Sequence, residues 1–223
     1  MITVFGKHLQ DWTSNYSLYS RERVDAPAIF GHVRMQVEAL GSPERPLCVS
    51  LDDTILRKRG RFIPGAAYRR DPLGPRFAVN LVWAQREQAM SAAVVDENND
   101  VRMVPIGFRD ASTPRKPRKG SAPRAFEEYL EEMKQRNLNA LAVESLVRLQ
   151  SERGKENGGK IPALRVLVDG SYTNKNLLRQ LPANTTLIGR IRKDAKLSAK
   201  PGAQAARGRK RIYGEDLPTP EQI

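Results

Sequence analysis

The chain has 223 residues, enough for one large or two small hydrophobic cores. Its single cysteine, Cys48, excludes an internal disulfide, and no apolar run approaches the ~20 residues of a membrane-spanning helix. Lysine and arginine number 38 against 25 acids, a net charge of +13 that is held entirely by two stretches, +5 in 114–124 and +8 in 190–211. Positive charge gathered in this way points to a polyanionic partner, nucleic acid first. The opening MITVFGKHLQDW lacks the charged, apolar and small-residue pattern of a secretion signal, so the expectation is a cytoplasmic protein with no membrane partner.

Residues 1–45 read as a small helical lead-in. Asp25 is placed to cap a helix with Pro27 in its first turn, and Phe30, Val33, Val37 and Leu40 then share one face until Gly41. Trp12, Tyr16 and Tyr19 upstream have helical spacing and read as core rather than as a surface for stacking bases. Neither histidine, His8 nor His32, has a partner at zinc-ligand spacing.

From Pro46 the texture changes. LCVSL (47–51) reads as a buried strand that stops at Asp52, Asp53 and Thr54. A basic stretch follows, and then three further strands are expected at 77–83, 89–95 and 101–108, the last two joined by the turn-forming DENND. The prolines and cations of 114–124 predict a stiff linker. Strong helix formers fill 125–150, with a break expected at 137–139 and a stop at the glycines 154, 158 and 159. LRVLV (164–168) predicts a second buried strand running into Asp169 and Gly170, followed by a short helix at 173–181 and a strand at 185–191. The tail from Lys193 is basic and without periodicity.

Two short strands thus end in aspartates 117 residues apart. If they lie side by side, their carboxylates share one sheet edge, where mutual repulsion favours a hard cation such as Mg2+. Carboxylate-bound metal beside basic segments fits phosphodiester chemistry. Aspartates at strand ends are also ordinary turn formers, and the pattern by itself does not choose between the two.

The blocks LDDTILRKRGRFIPGA, RRDPLGPRFAVNLVWAQR, PTPRKPRKG, LVDGSYTNKNLLRQLP and TTLIGRIRKDAKL, in that order, resemble bacterial insertion-sequence transposases of the DDE superfamily over roughly residues 12–220. The resemblance implies an α/β fold, an RNase H-like mixed sheet flanked by helices, whose first and fourth strands carry two acids of an Asp-Asp-Glu triad. It implies a helical lead-in at 1–45 that retains part of a DNA-binding region, a partial catalytic domain at 46–192, and a basic irregular tail at 193–223 that begins an insertion or linker.

On this reading Asp52 and Asp169 are catalytic metal ligands of a two-metal site for Mg2+ or Mn2+. Asp52 is favoured because Asp52 and Thr54 satisfy the pattern Asp, any residue, Ser or Thr; Asp53 stays an alternative, since alternation sends the two side chains to opposite faces. Gly170 is expected to permit a close turn, with Ser171 and Tyr172 in supporting roles. The partner implied is double-stranded DNA, both transposon ends and target, bound by an oligomer of the chain in the nucleoid. Phosphate contacts are expected from Arg57, Lys58, Arg59 and Arg61 and from Arg190, Arg192, Lys193, Lys196, Arg207, Arg209, Lys210 and Arg211.

The third acid is the exception. Asp194, Glu215, Asp216 and Glu221 are the only acids among the 54 residues after Asp169, and none sits in an amphipathic helical pattern. The expectation is a transposase lacking its C-terminal part and inactive alone. The alternatives are a non-catalytic DNA-binding remnant of a decayed element and another RNase H-like DNA nuclease.

Overall fold

The computed structural model describes residues 13, 17, 25–41, 45–60, 62–75, 77–203 and 208–222. The expected site residues Arg61 and Arg207, together with Trp12, Tyr16, Tyr19 and His8, lie outside the described residues.

Helix α1 (Ala26–Leu40) starts as expected: Asp25 caps it by accepting from the Ala28 amide at 3.0 Å. Val37 is buried and Phe30 meets Phe108 with ring centroids 5.6 Å apart, but Leu40 is exposed and is not part of the core face. Strand β1 (Leu47–Arg57) is six residues longer than LCVSL, so Asp52 and Asp53 lie within it rather than beyond its end. The basic stretch after it holds a short strand, β2 (Ala67–Arg70). The two strands expected at 77–83 and 89–95 are one 15-residue strand, β3 (Leu81–Val95), because Gln85, Glu87 and Gln88 are carried inside a ladder whose two edges are both paired. Strand β4 (Val101–Asp110) returns from a turn closed by Asp96, whose Oδ1 accepts from the amides of Asn98 and Asp100.

Residues 111–122 carry no regular structure, and α2 (Pro123–Gln135) begins at a proline in its first turn. Asn137 then serves two helices. Its Nδ2 donates to the Lys134 carbonyl at the end of α2, and its Oδ1 accepts from the Ala140 amide to cap α3 (Leu138–Glu156). The expected break is thereby found, and α3 ends before Gly158 and Gly159, both with positive φ, whereas Gly154, also expected to stop it, is buried within the helix. Strand β5 (Leu164–Val168), helix α4 (Lys175–Arg179) and strand β6 (Thr185–Gly189) follow in the expected order. The tail is not wholly irregular, since β7 (Leu197–Ser198) pairs with β8 (Asp216–Leu217).

The main sheet runs β2, β3, β1, β5, β6, with β4 beside β2 on the same edge of β3. β1, β5 and β6 are parallel, and β3 runs antiparallel to β1, the mixed arrangement expected of an RNase H-like fold. Leu47, Val49 and Leu51 of β1, Leu164, Val166 and Val168 of β5, and Met90 and Ala92 of β3 pack with Ala142, Leu146 and Leu149 of α3 and with Val37 of α1.

Four charges fasten α1 to α3. Arg34 Nη1 donates to Glu38 at 2.7 Å and its Nη2 to Glu156 at 2.5 Å, while Arg153 Nε donates to Glu38 at 3.0 Å. Burial opposes the charge of Arg34, yet Glu156 and Glu38 outweigh it and hold the guanidinium above its ordinary pKa. Removing one carboxylate leaves a buried cation unpaired. Glu38→Ala is expected to lower the unfolding free energy by about 3 kcal/mol in denaturant titrations, and Leu146→Ala by about 2–5 kcal/mol through the cavity it leaves.

Candidate active site

Alternation along β1 sorts its two aspartates. Leu51 is buried in the core beneath α3, so Asp52 projects from the opposite, solvent-facing side, where it is exposed. Asp53 turns back to the helix side. Its Oδ2 accepts from Arg86 Nε at 2.7 Å, and its cross-strand partner is Gln88.

Gln88, 2% exposed, is the centre of a buried polar cluster. Its Nε2 donates to the Leu138 carbonyl at 3.0 Å and to Tyr172 Oη at 3.3 Å, and its Oε1 accepts from Ser145 Oγ at 3.4 Å. Tyr172 therefore supports the site from inside the core. Arg86 and Gln88 escaped notice in the sequence because a strand of mixed polarity gives no sign of which side is covered.

Asp169 follows β5. The last registered pair between the two parallel strands is Leu51 with Val168, so one step further brings Asp52 level with Asp169, on strands roughly 5 Å apart. Asp169 is exposed and its Oδ1 accepts from the Ser171 amide at 2.9 Å and from Ser171 Oγ at 2.6 Å. The loop is pinned by Asn174, whose Nδ2 donates to Asn139 Oδ1 of α3 and to the Ser171 carbonyl. Gly170 opens the turn expected there, and the tight backbone position nearby is Gly189. A Cβ on Gly170 has ordinary room, 3.5 Å from the Arg190 carbonyl, whereas one on Gly189 would run into the Thr173 side chain and lie 2.9 Å from Val168 Cγ2.

Arg69, on β2, has no partner for Nε or Nη2 among the described residues, although both atoms are buried; its Nη1 reaches Thr113 Oγ1 at 3.3 Å. Burial and the nearby Arg86 charge lower its pKa, with Asp110 and Asp53 opposing. The expected phosphate contacts divide. Lys58 and Arg59 line an open groove beside Trp83, as does Arg57, whose Nη2 pairs with Asp71 at 2.6 Å. Arg190, Lys196, Arg209, Lys210 and Arg211 are exposed, but Arg192 makes a two-pronged pair with Asp194 and Lys193 pairs with Glu221 at 2.8 Å.

A mixed sheet of this order, with aspartates level on its central parallel strands, is that of an RNase H-like fold. Residues 13–223 match the family described as DDE superfamily endonuclease, and the chain belongs to that family. No curated protein is similar enough to the chain to match it. The family's substrate is DNA, its enzymes generally use divalent metals, and no helix among the described residues is long and apolar enough to cross a membrane.

Among the described residues no three His, Cys, Asp or Glu side chains gather as metal ligands. The β1–β5 register sets two carboxylates level, Asp52 and Asp169, as many as Mg2+ commonly takes when it keeps several waters and too few for a two-ion site.

Burial foremost raises the Tyr172 phenol from 10.0 to about 12, so folding favours the protonated form. Its stabilising contribution is full below about pH 10 and is lost as pH rises towards 12. Thermal denaturation is expected to fall more steeply above about pH 10 in the native chain than in Tyr172→Phe. Gly189→Ala, which must push Thr173 and the Asp169 loop aside, is expected to cost about 1–3 kcal/mol in the same measurement.

Proposed function

We propose that the chain carries the first two acids of a DNA transposase active site, with Asp52 and Asp169 as the ligands of a divalent ion. The observation that supports this is the β1–β5 register, which sets these carboxylates level on the exposed face while Asp53 is taken up by Arg86. A bound ion would polarise a phosphate oxygen and activate the attacking water or hydroxyl. The chain's own part is positional. Ser171 orients the Asp169 carboxylate through two hydrogen bonds, and Lys58, Arg59 and the exposed cations of 190–211 hold the phosphates of transposon ends and target.

A second ion needs a third acid. Asp194 and Glu221 are paired to Arg192 and Lys193, Asp216 lies in β8, and Glu215 is exposed next to it. We therefore assign weak or absent strand transfer to the 223-residue chain by itself. This arrangement also favours a second reading, a DNA-binding protein without catalysis that competes with an active enzyme for DNA ends.

Calorimetric titration with Mg2+ and Mn2+ tests the site. Asp52→Asn and Asp169→Asn are expected each to abolish binding, whereas Asp53→Asn is expected to keep it and to lose stability, since Arg86 is then unpaired. Metal binding that survives Asp52→Asn and disappears in Asp53→Asn would move the first ligand to Asp53. Cleavage and joining of cognate ends by the purified chain would overturn its assigned inactivity.

A further inference from the structure

The end of the β1–β3 ladder carries an aromatic pair that the two-acid site does not use. Past the registered pair Arg57 with Ala84, the Lys58 amide donates to the Trp83 carbonyl at 2.8 Å, so the ladder continues and Trp83 falls on the same face as Gln85, Glu87 and Asp52. Tyr68 is the cross-strand partner of Trp83, and their rings meet edge to face with centroids 5.2 Å apart. Tyr68 is 72% exposed. The indole is fixed by its Nε1, which donates to the Gly60 carbonyl at 2.9 Å, and the loop beyond is fixed by Gln85 Nε2, which donates to the Pro64 carbonyl at 2.6 Å.

Beside Trp83 lies a groove of ≈ 520 Å³ lined by Arg57, Lys58, Arg59, Val82 and Trp83. No acid lines it, and residues 57–70 hold six cations without one acid. An indole beside a cationic rim meets both requirements of an unpaired nucleotide, a π-face for the base and positive charge for the phosphate. A base within a duplex has both faces covered by its neighbours and gains nothing from Tyr68 or Trp83. An apolar protein partner would have to leave Lys58 and Arg59 desolvated without counter-charges.

We propose that Trp83 and Tyr68, with Lys58 and Arg59, form a stacking site for unpaired DNA. It lies on the face of Asp52 and six residues along β1, about 20 Å away at strand rise. An unpaired strand held there runs along the exposed face towards the two acids. The inference rests on the reading of the chain as a DNA enzyme and adds the class of substrate it holds, single-stranded rather than only duplex DNA.

The test is fluorescence anisotropy on the full chain without divalent metal, with labelled oligo(dT) and a blunt duplex of the same length as separate probes. Trp83→Ala and Tyr68→Ala are expected to weaken oligo(dT) binding about tenfold or more, with duplex binding changed less than about twofold. Trp83→Phe, which keeps an aromatic face, is expected to restore most of the loss, and this separates stacking from a folding defect. Lys58→Ala with Arg59→Ala is expected to weaken both probes and to flatten the salt dependence of each. Equal losses on both probes in the aromatic variants, or no loss on oligo(dT), would overturn the stacking site while leaving DNA binding intact. A native chain that binds neither probe would overturn the DNA reading itself. Self-association lost in Tyr68→Ala, with no DNA bound, would reassign the patch to a protein partner.

Discussion

Everything at the site depends on the parallel pairing of β1 with β5. A parallel pair has no hairpin to set its register, so the register comes from which side chains fill the core. Here Leu47, Val49 and Leu51 interleave with Leu164, Val166 and Val168 beneath α3. A slip of β1 by one residue would turn its three apolar side chains outward and put Asp52 in the core, at a cost of about 1.5–3 kcal/mol for each aliphatic side chain exposed. The packing that stabilises the domain is therefore also what sets Asp52 beside Asp169. No direct contact between the two carboxylates is needed to fix their separation.

The same alternation separates two kinds of polar residue. On the covered face Asp53 accepts from Arg86, and the buried Gln88 bonds to Ser145, Tyr172 and the Leu138 carbonyl, as a group removed from water must. On the exposed face, among the described residues, Asp52 and Asp169 accept from close neighbours in sequence, Asp53 N and Ser171, with further lone pairs facing outward. Adjacent aspartates in one tetrad thus have opposite duties, one structural and one open to ligand.

Much of this was legible in the sequence, and the failures share a cause. The helix cap at Asp25, the helix break at Asn137, the glycines after α3 and the strands β5 and β6 all follow from local signals, and local signals are what a sequence displays. The length of β1 and the continuity of β3 were hidden because both are extended by pairing with neighbours, which lets polar residues such as Thr54, Gln85 and Glu87 stay in a ladder. LRVLV read as wholly buried, yet Leu167 is 44% exposed because only one face of β5 is covered by the described helices. At the site, Asp52 and Asp169 were visible as strand-end acids. Arg86 and Gln88 were not, since what selects them is the far side of a strand 33 and 35 residues further along the chain from Asp53. Trp12, Tyr16 and Tyr19 read as core and lie outside the described residues, whereas the aromatic pair Tyr68 and Trp83 joins two strands whose pairing no local signal announces.

The one-sided core explains why acids and aromatics share a face. Strands in a parallel arrangement are ordinarily covered on both sides, but here α1 and α3 lie on one side and the described residues place no helix on the other. Small side chains at the centre of that other face, Ser50, Ala89 and Ser91, leave the sheet surface low between Asp52 and the taller groups at its margins. Leu167 and Ile188 rise on the β5–β6 side and Trp83 at the far end of the ladder. A strand of DNA laid across this face meets backbone-level floor next to the carboxylates and an aromatic wall beyond them. Because the core needs only the opposite face, the domain keeps its packing while this one stays free to hold charge.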